Sequence, residues 1–389
     1  MKRVLTALAC ALPLLGAAAD RPAEAAKPDL FKIGAILAMT GGGNYYGTVM
    51  SRGAQLAIDE INAKGGVDGT KLELVIEDHK SGNAQAAVAA MNRLINIHNV
   101  QAVESSYSPP TLAIAPIADE KKIFIINGGG VSAQMVGASK YLVHNRSLAS
   151  DLARGIINRA HERGFKKMAI VAWKTDAGES VRDIAKEIWT KLGGTVVAEE
   201  TVVPGSANID TQMAKLRTSN PDFILTAVFR PEVGTVLKRA REFGIKVPMM
   251  GIEYTPDDAK VAGEAAAGFE FTNDYFQPTA DNPKAEAFYN AYKSKFDQEP
   301  DFYAANYYEA TYVIAELLRR AYAAGNDTPN GEDLMNMLKK DPHFDSIYGG
   351  EMLFQENGVA AKRVGLFEVQ KDGEKKFVKF IETAAPAAK

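Results

Sequence analysis

FKIGAILAMTGGGNYYGTVMSRGAQLAIDEINAKGGVDGTKLELVIED, residues 31–78, is the stretch whose reading decides the fold. Phe31–Leu37 is a β-rich apolar run that ends in a glycine loop. Gly47 to Ala63 then reads as a helix, because Ala54, Leu56, Ala57, Ile58 and Ile61 supply one apolar face. Gly65-Gly66 stops that helix, and Lys71–Asp78 is the next strand.

The same alternation continues outward. A helix over Ala84–His98 leads to a strand at Ala102–Ser106, and Pro109-Pro110 precede a helix near Leu112–Glu120. Ile123–Ile126 follows as a wholly apolar strand. Apolar strands separated by helices indicate a parallel sheet covered on both faces. After Tyr141–Asn145 the rhythm restarts: strands are expected at Met168–Trp173, Thr195–Glu200, Phe223–Phe229 and Pro248–Ile252. Helices over Asp151–Arg163, Ser180–Leu192, Ile209–Thr218 and Glu232–Phe243 lie between them. A strand at Phe269–Phe276, three helices (Pro283–Phe296, Tyr303–Ala324, Glu332–Lys339) and turns at Asn357-Gly358 and Asp372-Gly373 complete the chain. Two α/β units followed by extra helices and hairpins imply a return to the first lobe after the second is built. Two doubly wound sheets facing each other would put strand-end loops on both sides of one cleft.

The first residues limit where this happens. Met1-Lys2-Arg3 is a basic start, and Val4 to Leu15 is an apolar run too short to span a bilayer. Small residues at Ala17-Ala18-Ala19, or Ala23-Glu24-Ala25, fit a cleavage site, so residues 1–26 read as an export signal and short leader. The expected location is periplasmic. Cys10, the only cysteine, sits inside the apolar run, away from the position a lipid anchor requires. Cleavage therefore removes the only thiol and with it any disulfide, Cys-based metal site or Cys nucleophile. It also removes Lys2 and Arg3, leaving the remainder more acidic than the whole chain's formal −3. That balance offers no footprint for nucleic acid.

Motifs for chemistry are few. A G-x-G-x-x-G match starting at Gly41 would need glycine where Tyr46 stands, and Glu77-Asp78 is too distant for a ribose-binding acid. His79, His98, His144, His161 and His343 form neither an i, i+4 pair nor H-E-x-x-H, so no metal site is expected. No G-x-S-x-G elbow or P-loop occurs. The expectation is a binding protein without cofactor, not an enzyme.

Read in order, MTGGGNYYG…GAQLAIDEINAKGGVDGTKLELVIED, SSYSPPTLAIAPIADEKKIFIING and FRPEVGTVLKRAREFGIKVPMMGIE resemble the leucine/isoleucine/valine-binding protein family of type I periplasmic binding proteins. The resemblance runs from about Phe31 to the hairpins after Tyr348. It implies two Rossmann-like α/β lobes joined by a three-crossing hinge, ligand capture by closure, and delivery to ABC permease membrane subunits. The corresponding parts are residues 28–145 for the start of lobe 1, 146–274 for the body of lobe 2, and 275–348 for the return to lobe 1. Residues 349–382 would complete lobe 2, with 383–389 as a tail.

By resemblance, Ser108 is the hydroxyl that holds a ligand carboxylate. Gly128, Gly129 and Gly130, with Ser132, look like the loop that meets carboxylate and ammonium. Tyr46 resembles the first-loop aromatic, Phe229 the second-lobe aromatic, and Glu253 the acid that meets an ammonium. Tyr107, Thr111, Ala177 and Arg230 are further candidates. Phe229 stands where tyrosine is usual, Ala177 where many members carry an aromatic, and Arg230 is an added cation. The implied ligand is a branched-chain or other amino acid, taken up by a monomer. The alternatives are an aromatic carboxylate, an amide- or urea-type compound, or a ligand-sensing receptor role.

Overall fold

The computed structural model describes residues 26–206 and 208–381. The expected export signal through Ala25 and the tail lie outside the described residues. The first lobe contains β1 (Leu30–Leu37), α1 (Asn44–Ala63), β2 (Lys71–Asp78), α2 (Ala84–Asn96), β3 (Ala102–Ser105), α3 (Ser108–Lys121), β4 (Phe124–Asn127) and β5 (Leu142–His144). Its sheet is wholly parallel in the order β2-β1-β3-β4-β5.

The second lobe runs α4 (Ala149–Glu162), β6 (Lys167–Trp173), α5 (Asp176–Lys191), β7 (Thr195–Val202), α6 (Asp210–Thr218), β8 (Phe223–Ala227), α7 (Glu232–Glu242), β9 (Met249–Ile252), α8 (Pro256–Ala262) and β10 (Glu270–Asp274). The chain then returns to the first lobe through α9 (Pro283–Phe296), α10 (Phe302–Ala323), α11 (Gly331–Lys340) and a small antiparallel sheet of β11 (His343–Asp345), β12 (Glu351–Phe354) and β13 (Ala360–Ala361). Finally β14 (Val364–Val369) and β15 (Lys375–Ile381) add antiparallel strands to the second sheet, whose order is β15-β14-β10-β9-β8-β6-β7.

One boundary differs from the sequence reading. Residues from 349 on were expected in lobe 2, but Met352, Phe354, Val359 and Ala360 pack into the first-lobe core. Only from Val364 does the chain rejoin the second core. The β12–β13 hairpin buries its apolar residues beside Phe344 and Leu142, so it stays with the lobe that precedes it.

Two helix starts also shift. α1 begins three residues before Gly47, which is packed so closely that a Cβ would lie 2.2 Å from the Ala38 carbonyl oxygen. α3 begins at Ser108 because Pro109 and Pro110 occupy the first turn, where no intrahelical N–H is needed. Strand β8 stops at Ala227, leaving Phe229 and Arg230 in the loop beyond it.

The three crossings between lobes converge on Asn306 of α10. Its carbonyl accepts from Asn145 Nδ2 (2.7 Å), and its side-chain oxygen accepts from Lys362 Nζ (3.1 Å) and the Tyr348 hydroxyl (2.6 Å). Its amide donates to the Gly128 carbonyl (3.1 Å), and Asp274 Oδ1 accepts from the Ser147 N–H at 3.1 Å. Lys362 is further paired with Glu309 inside the molecule. Each crossing thus ends on a buried polar group that has a partner, which a desolvated amide or charge requires.

Helices α1 and α10 set the first-lobe wall of the cleft and touch at Gly53, where a Cβ would lie 2.1 Å from the Ala304 carbonyl oxygen. Gly53→Ala must therefore push the two helices apart. The expected cost is about 1–3 kcal/mol, read as a lowered midpoint in denaturant titration.

Candidate functional site

In each sheet the strand order reverses at one place, between β1 and β3 in the first lobe and between β6 and β8 in the second. Ligands of open α/β sheets bind beyond the carboxyl ends of strands at these reversals. The loops leaving all four strands meet there and line a cavity of about 240 Å³. The first lobe supplies Gly42, Gly43, Tyr46, Tyr107, Ser108 and Gly130. The second supplies Trp173, Thr175, Phe229, Arg230, Pro231 and Glu232.

Ser108 is held by its surroundings. Its Oγ accepts from the backbone N–H groups of Val131 and Ser132, each at 3.1 Å. The hydroxyl proton is then left to donate. The residue opens a 14-residue helix, α3, whose positive end favours an anion. Tyr107, just before it, adopts φ 62°, a left-handed backbone that a tyrosine takes only under constraint.

The remaining wall is mostly aromatic. The rings of Tyr46 and Tyr303 meet edge-on at 5.0 Å between centroids, Tyr46 and Tyr107 at 5.5 Å, and Trp173 tilts against Phe229 at 5.1 Å. Such a wall suits an apolar body bearing a few polar groups. Among the described residues, the Tyr46 hydroxyl, Trp173 Nε1 and Glu232 Oε2 of the lining are buried without a hydrogen-bond partner. Among the described residues, no group of three or more His, Asp, Glu or Cys side chains is placed to hold a metal ion.

The lobes are closed on one another. Arg230 Nη1 donates across the cleft to the Gly42 carbonyl (3.0 Å), and the Ala133 N–H donates to Ser180 Oγ (3.0 Å). Deeper in, the Tyr303 hydroxyl of α10 donates to Glu253, which follows β9. A family model described as periplasmic binding protein matches residues 31–374. The chain belongs to the periplasmic binding protein family.

The Leu/Ile/Val-binding protein of Escherichia coli (strain K12) is 26% identical to this periplasmic binding protein over 351 residues, 88% of this chain and 91% of that one. The branched-chain amino acid transporter substrate-binding protein LivJ of Streptococcus pneumoniae, solved with isoleucine, is also 26% identical. It superposes with a TM-score of 0.81, covering 90% of this chain and 99% of its own. A solute-binding protein of an ABC transporter from Rhodopseudomonas palustris BisB5, solved with 3,4-dihydroxybenzoic acid, has a TM-score of 0.81 at 22% identity. It covers 92% of this chain and 99% of its own, and that likeness concerns the fold.

Of the residues singled out in the sequence, Tyr46, Tyr107, Ser108, Gly129, Gly130, Ala177, Phe229 and Arg230 line the cavity of this binding protein. Gly128, Thr111, Ser132 and Glu253 are not part of its lining. The Gly128 carbonyl is used by Asn306, and Thr111 Oγ1 donates to Ser105 Oγ at 3.1 Å. Ser132 caps the short turn at Ala133–Met135. Arg230 is a latch: Nε donates to Asp257 (2.6 Å) while the guanidinium lies 4.6 Å from the Tyr45 ring centre.

Glu253 has a different partner from the one expected. Its Oε1 accepts from Arg146 Nη2 at 2.6 Å and its Oε2 from Tyr303, with both members of the ion pair buried. Arg146 also donates to the Gly129 carbonyl (2.6 Å) and the Ser147 carbonyl (3.1 Å). Glu253 itself sits at φ 60°. Arg146, Trp173, Glu232 and Tyr303 were not singled out from sequence. Trp173 ends β6 and Glu232 follows Arg230 by two residues, so the rule about strand ends at a sheet reversal could have found both. Arg146 and Tyr303 carry no local signal.

Two consequences can be measured. Glu253→Gln leaves Arg146 charged and buried without its ion-pair partner, at a cost of about 3–5 kcal/mol, visible in urea titration. The second concerns pH. Burial pushes the His79 and His144 imidazoles from 6.5 down to about 4. The unfolded chain takes up these protons first, so the stability from neutral imidazoles is full above about pH 6.5 and is lost as pH falls towards 4. His79 Nδ1 accepts from the Gly82 N–H (3.0 Å) at the cavity wall. The melting temperature should fall across that window, with a shallower slope in His79→Gln.

Proposed function

We propose that this chain captures a small amino acid, branched-chain or similar, between its lobes outside the inner membrane and delivers it to an ABC permease. The observation that carries the reading is Ser108. Its hydroxyl oxygen is committed to two backbone N–H groups, so its proton is free to meet a carboxylate at the positive end of α3. The aromatic wall suits an apolar side chain. The relatives named for leucine, isoleucine and valine support the amino-acid class. The role is binding without turnover, with closure held by Arg230 and Gly42.

A carboxylate without an amine, such as a benzoate, is the second reading. The observation in its favour is that Arg146 and Tyr303 already occupy both oxygens of Glu253.

Thermal unfolding with a panel of amino acids and benzoates separates the two. A true ligand should stabilise by about 2.7 kcal/mol at a hundredfold excess over Kd, and should be recovered unchanged after long incubation. Stabilisation by benzoates and by no amino acid would reject the first reading.

A further inference from the structure

We infer that Glu232, rather than Glu253, is the acceptor for the cationic end of the ligand and so determines selection for an amine-bearing solute. The inference rests on the amino-acid reading above and deepens it. Glu232 opens α7, lines the cavity and is 5% exposed. One of its oxygens, Oε1, accepts from the Gly205 N–H at 2.6 Å and so holds the loop after β7. The other, Oε2, is buried with no partner.

A buried carboxylate oxygen without a donor is costly, and a ligand that supplies a donor there regains the lost hydrogen bond. Among the described residues no cation donates to that oxygen, and Arg230 acts on the carboxylate only through its charge. Arg230, two residues away, is bound to Asp257 and Gly42, and Arg146 is bound to Glu253. Burial pushes the Glu232 carboxyl above its ordinary range, while the Gly205 N–H pulls it back. An ammonium would favour the ionised form further.

The two groups also line the same cavity. Ser108 belongs to the first lobe and Glu232 to the second, and Tyr46, Trp173 and Phe229 line the cavity with them. A zwitterion bound this way joins one lobe through its carboxylate and the other through its ammonium. A ligand with both ends therefore adds to the contacts that hold the lobes closed. A carboxylate that lacks the amine leaves Glu232 Oε2 unpartnered.

Glu232→Gln tests this, because the amide oxygen can keep the Gly205 contact while the charge is lost. Leucine and 4-methylpentanoate, the same skeleton without the amine, are titrated by calorimetry against wild type and variant. Leucine should weaken roughly ten- to hundredfold in the variant, with 4-methylpentanoate unchanged or tighter. Equal leucine affinity in both proteins overturns the role of Glu232 and leaves the amino-acid reading intact. Equal loss of both ligands, with a lowered melting temperature, makes Glu232 a loop support and also overturns it. Wild-type protein that binds 4-methylpentanoate as tightly as leucine defeats the amino-acid reading itself, and this inference with it.

Discussion

Arg146 is a charged side chain with no access to water, placed where the chain first passes from one lobe to the other. Removing a guanidinium from water costs several kcal/mol, so everything near it must be arranged to compensate. Glu253 from the second lobe supplies the counter-charge, Gly129 from the first supplies a carbonyl, and Tyr303 fixes the remaining carboxylate oxygen. The three groups come from different parts of the chain and satisfy one another only when the lobes stand as they do. The Asn306 cluster applies the same requirement to the other two crossings through Asp274, Tyr348 and Lys362. The hinge is therefore specified by hydrogen-bonding demand more than by apolar packing.

This constraint shapes the cleft. With Glu253 committed to Arg146 behind the cavity, Ser108 and Glu232 are among the polar groups that remain on its two walls. Arg230, a cation at the cleft mouth, is likewise neutralised by Asp257 and joins the lobes through Gly42. Two features that read in the sequence as free charges for a ligand are thus parts of the closing machinery. Strain collects at the same places: Tyr107 and Glu253, both in left-handed backbone, stand at the ends of β3 and β9.

The alternation of strands and helices was legible because each element carries its own periodicity. Apolar runs as short as Ile123–Ile126 between helices read as covered strands, and capping and glycine signals bracket the helices. The cleft loops were legible for a related reason, since they follow strands that the pattern locates. The chemistry of single residues was less so. Glu253 was expected to face a ligand, yet the resemblance that pointed to it carried no information about Arg146, over a hundred residues earlier. The hairpin at Asn357-Gly358 was read correctly as a hairpin and placed with the wrong lobe, because local turn chemistry says nothing about which core receives Phe354 and Val359.

By itself, then, the sequence determined two successive α/β units, the strand-end loops with Tyr46, Ser108 and Phe229, and the membership of one family. The units and the loops depend on local periodicity and short-range propensity, which act within a few turns of chain, whereas the family and the choice of Tyr46, Ser108 and Phe229 came from the resemblance of longer motifs. Only the tertiary structure decided which carboxylate is committed and which has a free oxygen, and where the chain changes lobes. Those outcomes depend on desolvation and on partners far apart in sequence: Arg146 with Glu253, Tyr303 with Glu253, Arg230 with Gly42. Burial sets the energy of a charge, and burial belongs to the folded molecule as a whole.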